Sequence, residues 1–151
     1  MRKLITIFAA MFIAASAFAA SKDYGLKSPD GRLEVNVNVG NEITYTLRHD
    51  GTLFLDTSVI RMNLDNGESF GCNDVVRKRT VKTIDEDITT VLYKKDLVEN
   101  HCNEMILKFK EFSLVVRAYD DGMAYRFVSA MKAPFNVAEE VAQFNFAEDW
   151  N

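Results

Sequence analysis

Histidine and cysteine each occur only twice in 151 residues, and tryptophan once. That scarcity removes whole classes of chemistry. Neither His49 nor His101 has Cys, Asp or His at metal-ligand spacing, so no zinc site is expected. His49 precedes Asp50-Gly51 and reads as a solvated turn residue. Ser28, Ser58, Ser69 and Ser113 lie in no G-x-S-x-G frame, which leaves a serine triad without support. A phosphate-cradling glycine loop is missing as well. Positive charge is not in excess: 18 Lys and Arg stand against 22 Asp and Glu, a formal net charge of −4. Nucleic-acid binders show basic patches, and anionic lipid attracts basic segments, so neither is an expected partner. Beyond the first residues no segment keeps a helical apolar period, and there is no internal repeat or low-complexity linker.

What is present begins with a targeting signal. Arg2 and Lys3 form a charged start, Leu4 to Ala15 is apolar, and Ala17-Phe18-Ala19 is a small-x-small cleavage site. The apolar run is short of the roughly 20 residues a membrane span needs. Residues 1–19 therefore read as a cleaved signal peptide, and 20–151 as one periplasmic or secreted domain with no membrane attachment after cleavage. Losing Arg2 and Lys3 makes that domain more acidic still. In an oxidising compartment Cys72 and Cys102 have two readings. A bridge would close a loop of about 30 residues, worth on the order of 3–4 kcal/mol; two buried free thiols are the plainer alternative.

The rest of the chain alternates. Leu33, Val35, Val37 and Val39 interleave with polar residues, and Ile43, Tyr45 and Leu47 repeat the pattern, pairing Val37 with Tyr45 and Val35 with Leu47. Ser28-Pro29-Asp30-Gly31 and His49-Asp50-Gly51-Thr52 are turns, and Leu53 to Leu64 is a strand. A loop is expected around Phe70-Gly71-Cys72, then a strand over 75–84, a turn at Asp85-Glu86-Asp87, and β character over 88–94. Residues 98–110, 112–119 and 123–129 follow as three strands. A helical turn or loop is expected over 137–142, and a strand beginning at 143–146.

The last long hairpins carry the sharpest expectations. Asp121-Gly122 suits a type I′ turn, in which both residues need positive φ. Ala118 then faces Tyr125, Val116 faces Phe127 and Arg117 faces Arg126. A loop at Lys110-Glu111 pairs Phe109 with Phe112, Leu107 with Leu114, Met105 with Val116 and Glu104 with Arg117. Two opposed arginines are unfavourable, so Glu104, Arg117 and Arg126 are expected as one charge-relieved row. The fold class that results is all-β, an antiparallel sandwich.

Glycosidic hydrolysis needs two carboxylates about 5–9.5 Å apart. Asp120 and Asp121 are adjacent at a hairpin tip, and Asp85-Glu86-Asp87 and Glu139-Glu140 read as solvated turns, so no acid/base pair is nameable. Arg77-Lys78-Arg79 reads as a solvated strand face in preference to an anion site. Trp150, Tyr24, Tyr45 and Phe70 could stack on sugar, although core packing is the better reading for each.

Several stretches in order resemble the amino-terminal domain of glycoside hydrolase family 97. They are Ser28 to Gly31 with the following strand, Tyr45, Asn103-Glu104, the run from Arg117 through Asp121, Gly122 and Arg126 to Phe127, and Gln143 to Trp150. The resemblance implies a β-supersandwich of the galactose-mutarotase type, here incomplete. It implies an exported α-glucosidase or α-galactosidase acting on oligosaccharides, calcium-dependent in the whole enzyme. The partner it implies is a catalytic (β/α)₈ barrel, with a calcium-reaching glutamate falling beyond Asn151. On that reading this chain holds no catalytic residue, metal ligand or cofactor of its own. The alternative is a free-standing carbohydrate-binding or envelope-interaction module.

Overall fold

The computed structural model describes residues 21–89 and 97–148. The signal-peptide reading of 1–19, residues 90–94 of the β stretch expected over 88–94, and Trp150 lie outside the described residues. Inside them the chain is strand after strand: β1 (Lys22–Lys27), β2 (Leu33–Val39), β3 (Ile43–His49), β4 (Thr52–Leu64), β5 (Ser69–Phe70) and β6 (Lys78–Thr89). β7 (Leu97–Lys108), β8 (Phe112–Ala118), β9 (Met123–Ser129), β10 (Val137–Ala142) and β11 (Asn145–Phe146) complete the order. One sheet runs β1-β2-β3-β4-β10, with β5 and β11 also paired to β4; the other runs β6-β7-β8-β9. Every pairing is antiparallel.

Alternation sets the core. Leu33, Val35, Val37 and Val39 are buried, and Val35 faces Leu47 and Val37 faces Tyr45 as the pattern predicts. Met105, Leu107, Leu114 and Val116 supply the second sheet's buried face. Phe70 stacks on Phe112 at 4.7 Å, and Phe112 on Phe109 at 4.4 Å, joining β5 to the β7–β8 hairpin. Tyr24, Tyr45 and Phe70 all belong to this core, so none of the three is a sugar platform. Polar links also cross between strands of the two sheets. Asn103 Nδ2 donates to the Lys27 carbonyl at 2.9 Å, and Arg79 Nη2 to the Gly25 carbonyl at 2.6 Å.

The Phe109–Phe112 hairpin has the expected register, with Glu104 opposite Arg117. The next hairpin does not. Its loop is Asp120-Asp121, closed by the Tyr119 N–H donating to the Gly122 carbonyl at 2.8 Å. Among the described residues positive φ occurs at Asp50, Asn73, Gly31, Gly51, Gly67 and Gly71, so Asp121-Gly122 is not a type I′ turn. The primed turn is at Asp50-Gly51, with φ of 49° and 79°. Pairing therefore shifts by two: Val116 faces Tyr125, Leu114 faces Phe127, and Arg117 faces Ala124. A shift of two keeps every side chain on its own side, so Val116 and Phe127 still share the inner face. Arg126 moves beside Val115 and drops out of the Glu104–Arg117 row.

Other expectations give way at sheet edges. Asp85-Glu86-Asp87 does not turn, because β6 runs through it and pairs those residues with His101, Asn100 and Glu99. An exposed edge strand accommodates three acids in water, and charge there deters further pairing. Val137–Ala142 is strand β10, not helix or loop, held by antiparallel pairing to β4 with a bulge between Val137 and Glu139. Cys72 and Cys102 are free thiols, so the bridge is not formed. Cys72 lies beyond β5 and bridges Glu42, while Cys102 is wholly buried in β7 of the other sheet.

Candidate functional site

Two polar arrangements stand out, one on the outer face of the smaller sheet and one at an end of the sandwich. On β7, Met105 and Leu107 point into the core, so Glu104 and Cys102 point the other way. Glu104 is nevertheless 3% exposed. Arg117 Nε donates to its Oε2 at 2.8 Å, and Lys82 Nζ lies 3.2 Å from Oε1. Burial pushes the Glu104 carboxyl up, but Arg117 and Lys82 more than offset it and hold it below the ordinary value. Tyr119, and then Glu104, hold the Arg117 guanidinium above its own ordinary value. A second row lies beside the first. Asn100 Nδ2 donates to Glu86 Oε1 at 2.7 Å, and Asn100 Oδ1 accepts from the Tyr119 hydroxyl at 3.1 Å. The charged groups of these rows are spent on one another across three strands. That arrangement fixes strand register and leaves no poised acid or base.

The sandwich end is built from turns. Ser28 Oγ accepts the Leu33 N–H at 3.0 Å and donates to Asp30 Oδ1 at 2.5 Å. The Asp30 N–H in turn donates to Asp120 Oδ1 at 3.0 Å, tying the β1–β2 turn to the β8–β9 turn. Arg32 forks onto Asp50 through Nε at 3.0 Å and Nη2 at 2.6 Å. Ser28 is the main cause holding the Asp30 carboxyl below its usual range, and Arg32 does the same for Asp50.

Between these turns lies a cleft of about 550 Å³. Leu33, Leu47 and Phe54 form its apolar floor, and His49, Asp50, Thr52 and the Asp120–Gly122 turn form its rim. A glycosidase acid must hold its proton near neutral pH, which requires a raised pKa. Asp30 and Asp50 are shifted the other way. The Asp74 carboxyl is raised by burial, but it accepts the Gly71 and Cys72 N–H groups at 2.8 and 3.1 Å and does not line the cleft. Among the described residues no group of three or more His, Cys, Asp or Glu could hold a metal ion. No helix among them is long and apolar enough to cross a membrane.

Of the residues singled out in the sequence, the structure joins Glu104 with Arg117 and brings Asp121 and Gly122 to the cleft. Arg126 lies away from Glu104, beside a smaller hollow of about 140 Å³ that Arg117, Tyr119 and Val115 also line. Sequence reasoning missed Asn100, Tyr119, Lys82 and Phe54. Strand register signals the first three once β6 is taken through Asp85–Asp87. Phe54 carries no such signal, because bulges in the β3–β4 pairing displace it.

Comparison with known proteins converges on one family. The sequence profile described as "Glycosyl-hydrolase 97 N-terminal" matches residues 26–151. A retaining alpha-galactosidase of Bacteroides thetaiotaomicron is 36% identical over 148 residues, which is 97% of this chain and 22% of that protein. A crystal structure of a beta-arabinopyranosidase superimposes with a TM-score of 0.72 at 26% identity, covering 83% of this chain and 21% of that one. A family 97 enzyme from Pseudoalteromonas sp. strain K8, in complex with acarbose, gives a TM-score of 0.71 at 15% identity, covering 82% and 20%; at that identity the likeness shows the fold. The chain thus spans about a fifth of the relatives it matches. With its two antiparallel sheets and a profile match over most of its length, the chain belongs to the amino-terminal domain family of glycoside hydrolase family 97.

Proposed function

We propose that this chain is the non-catalytic amino-terminal domain of an exported α-glycosidase, supporting a (β/α)₈ catalytic barrel that lies outside this sequence. One observation carries the reading: the match is to the amino-terminal domain and corresponds to 22% of a retaining alpha-galactosidase. Asp50 on the cleft rim and Asp30 beside it agree with it, since both are held ionised as ties between turns. Oligosaccharide is then the substrate of the whole enzyme and reaches this domain only through the barrel. Export rests on the charged, apolar and small-residue pattern of residues 1–19.

The test is turnover by the purified chain of aryl α-galactosides and aryl α-glucosides, expected to equal a no-protein control. Hydrolysis above that control refutes the non-catalytic role. A second reading, a free-standing carbohydrate-binding module, is favoured by the cleft, whose apolar floor and carboxylate rim suit a sugar. It predicts saturable binding of malto-oligosaccharides in calorimetry.

A further inference from the structure

The smaller sheet stops short of the larger one on one side. β1 packs against β7 and β8, and β2 against β8. β3 lies beneath β9, where the Tyr45 and Tyr125 rings are 6.0 Å apart. β4 and β10 then carry the larger sheet onward, whereas the smaller one ends at β9. At a strand spacing of about 4.8 Å, that leaves room over β4 and β10 for about two more strands. Side chains around this shelf are incompletely covered. Met62 on β4 and Tyr125 and Phe127 on β9 are only partly buried. Val137 pairs with Leu64 and so shares its inward face, yet it is 47% exposed.

The open edge of β9 is set up for pairing. The Tyr119 N–H donates to the Gly122 carbonyl and the Ala130 N–H to the Glu111 carbonyl, so the even-numbered residues turn their backbone groups to β8. Met123, Tyr125 and Phe127 turn theirs to the open side, where no described strand pairs with them. The other edges are guarded. β1 carries Lys22, Asp23 and Lys27, β6 carries Asp85-Glu86-Asp87, and β10 has two glutamates and a bulge. β9 has one charge in seven residues, Arg126, and neither proline nor bulge. Arg126 is exposed and has no ion-pair partner among the described residues. A second copy of the chain does not fit this edge. Pairing β9 with its twin about a two-fold axis would put both larger sheets in one layer, each reaching past its own β9, and they would collide. The matched part is only 22% of the retaining alpha-galactosidase, which leaves ample chain to supply a strand. We propose that β9 is a strand-addition edge whose occupant is a strand of the polypeptide that follows this sequence in the whole enzyme. Its apolar residues, at every second position, face inward over Met62 beside Tyr125 and Phe127, and a carboxylate faces outward beside Arg126. This inference rests on the reading above that the chain is part of a longer enzyme.

Hydrogen exchange read at single amides by NMR tests it. In this chain alone the Tyr125 and Phe127 amides should exchange at least about tenfold faster than those of Ala124 and Arg126, which bond to β8. A synthetic Thr-Val-Glu-Val-Thr-Val peptide, alternating and acidic, should slow Tyr125 and Phe127 at least about tenfold. The same residues ordered Val-Val-Val-Thr-Glu-Thr should not. Exchanging the peptide's Glu for Lys should weaken binding about two- to fivefold, and Arg126→Glu in the protein should reverse that preference. Tyr125 and Phe127 amides already slow in the chain alone overturn the proposal, as does equal protection by the two peptides or none by either. In a longer gene product the same amides should be slow without any peptide. A longer product that hydrolyses aryl α-galactosides while leaving them fast overturns strand addition alone. One that leaves them slow but lacks turnover supports strand addition and counts against the glycosidase reading alone.

Discussion

Replacing Glu104 by Gln tests whether the outer-face network is the register lock its geometry suggests. The glutamate is 3% exposed and holds Arg117 Nε at 2.8 Å and Lys82 Nζ at 3.2 Å. Losing one partner of a buried ion pair costs about 3–5 kcal/mol, because the other charge is left without compensation. Here the Arg117 side chain keeps 28% exposure and Lys82 56%, so water relieves part of that cost. The Lys82 contact, being largely solvated, contributes less than about 1 kcal/mol. We therefore expect Glu104→Gln to destabilise the fold by about 2–3 kcal/mol, with the hydrogen bond to a charged donor at the low end of that range. Urea unfolding of the wild type, Glu104→Gln, Arg117→Met and the double variant measures it. The double variant should recover at least about 1 kcal/mol relative to the sum of the singles.

Acid adds an independent arm to the same test. The folded-state pKa of Glu104 lies below its ordinary 4.5. Its contribution is therefore fully present above 4.5 and is lost as pH falls through the lowered folded value. Asp30 and Asp50 are lowered too and act in the same direction, so the readout is the wild type minus Glu104→Gln. That difference should shrink below pH 4.5. A Glu104→Gln variant within about 0.5 kcal/mol of wild type at pH 7 refutes the reasoning.

Gly71 has φ of 98°, and a Cβ there would sit 2.8 Å from the Ile60 carbonyl oxygen; Gly31 has φ of 78° with nothing within 4 Å. Gly31→Ala should then cost about 1–2 kcal/mol of backbone strain, and Gly71→Ala at least about 1 kcal/mol more in urea unfolding; equal costs would show that the close approach carries no weight. In a thiol titration of the native chain Cys72 should react and Cys102, at 0% exposure, should wait for unfolding; a native chain with no reactive thiol, and a mass two hydrogens lighter before reduction, would restore the bridge.

Period-two alternation determined strands β2, β3, β7, β8 and β9, their buried faces and the register of the Phe109–Phe112 hairpin, because side-chain direction and apolar burial are local and repeat every second residue. The Glu104–Arg117 pair followed from that register. Where local preference competed with a distant contact, the contact won. The tip at Asp120-Asp121 is one residue earlier than Asp-Gly chemistry favours, and Asp120 is tied there to the Asp30 amide. The same limit applies to Asp85–Asp87, whose turn-like composition gave way to pairing with β7 along an edge. It applies also to the two cysteines, for which the sequence left a bridge open and which the fold leaves as free thiols. The cleft is the clearest case. Leu33, Phe54 and Asp121 are far apart in sequence and share a wall only after two sheets have packed. A strand's pattern sets which way each side chain points. Which turns then meet depends on how the two sheets lie against each other, and that is settled by the sum of many long-range contacts.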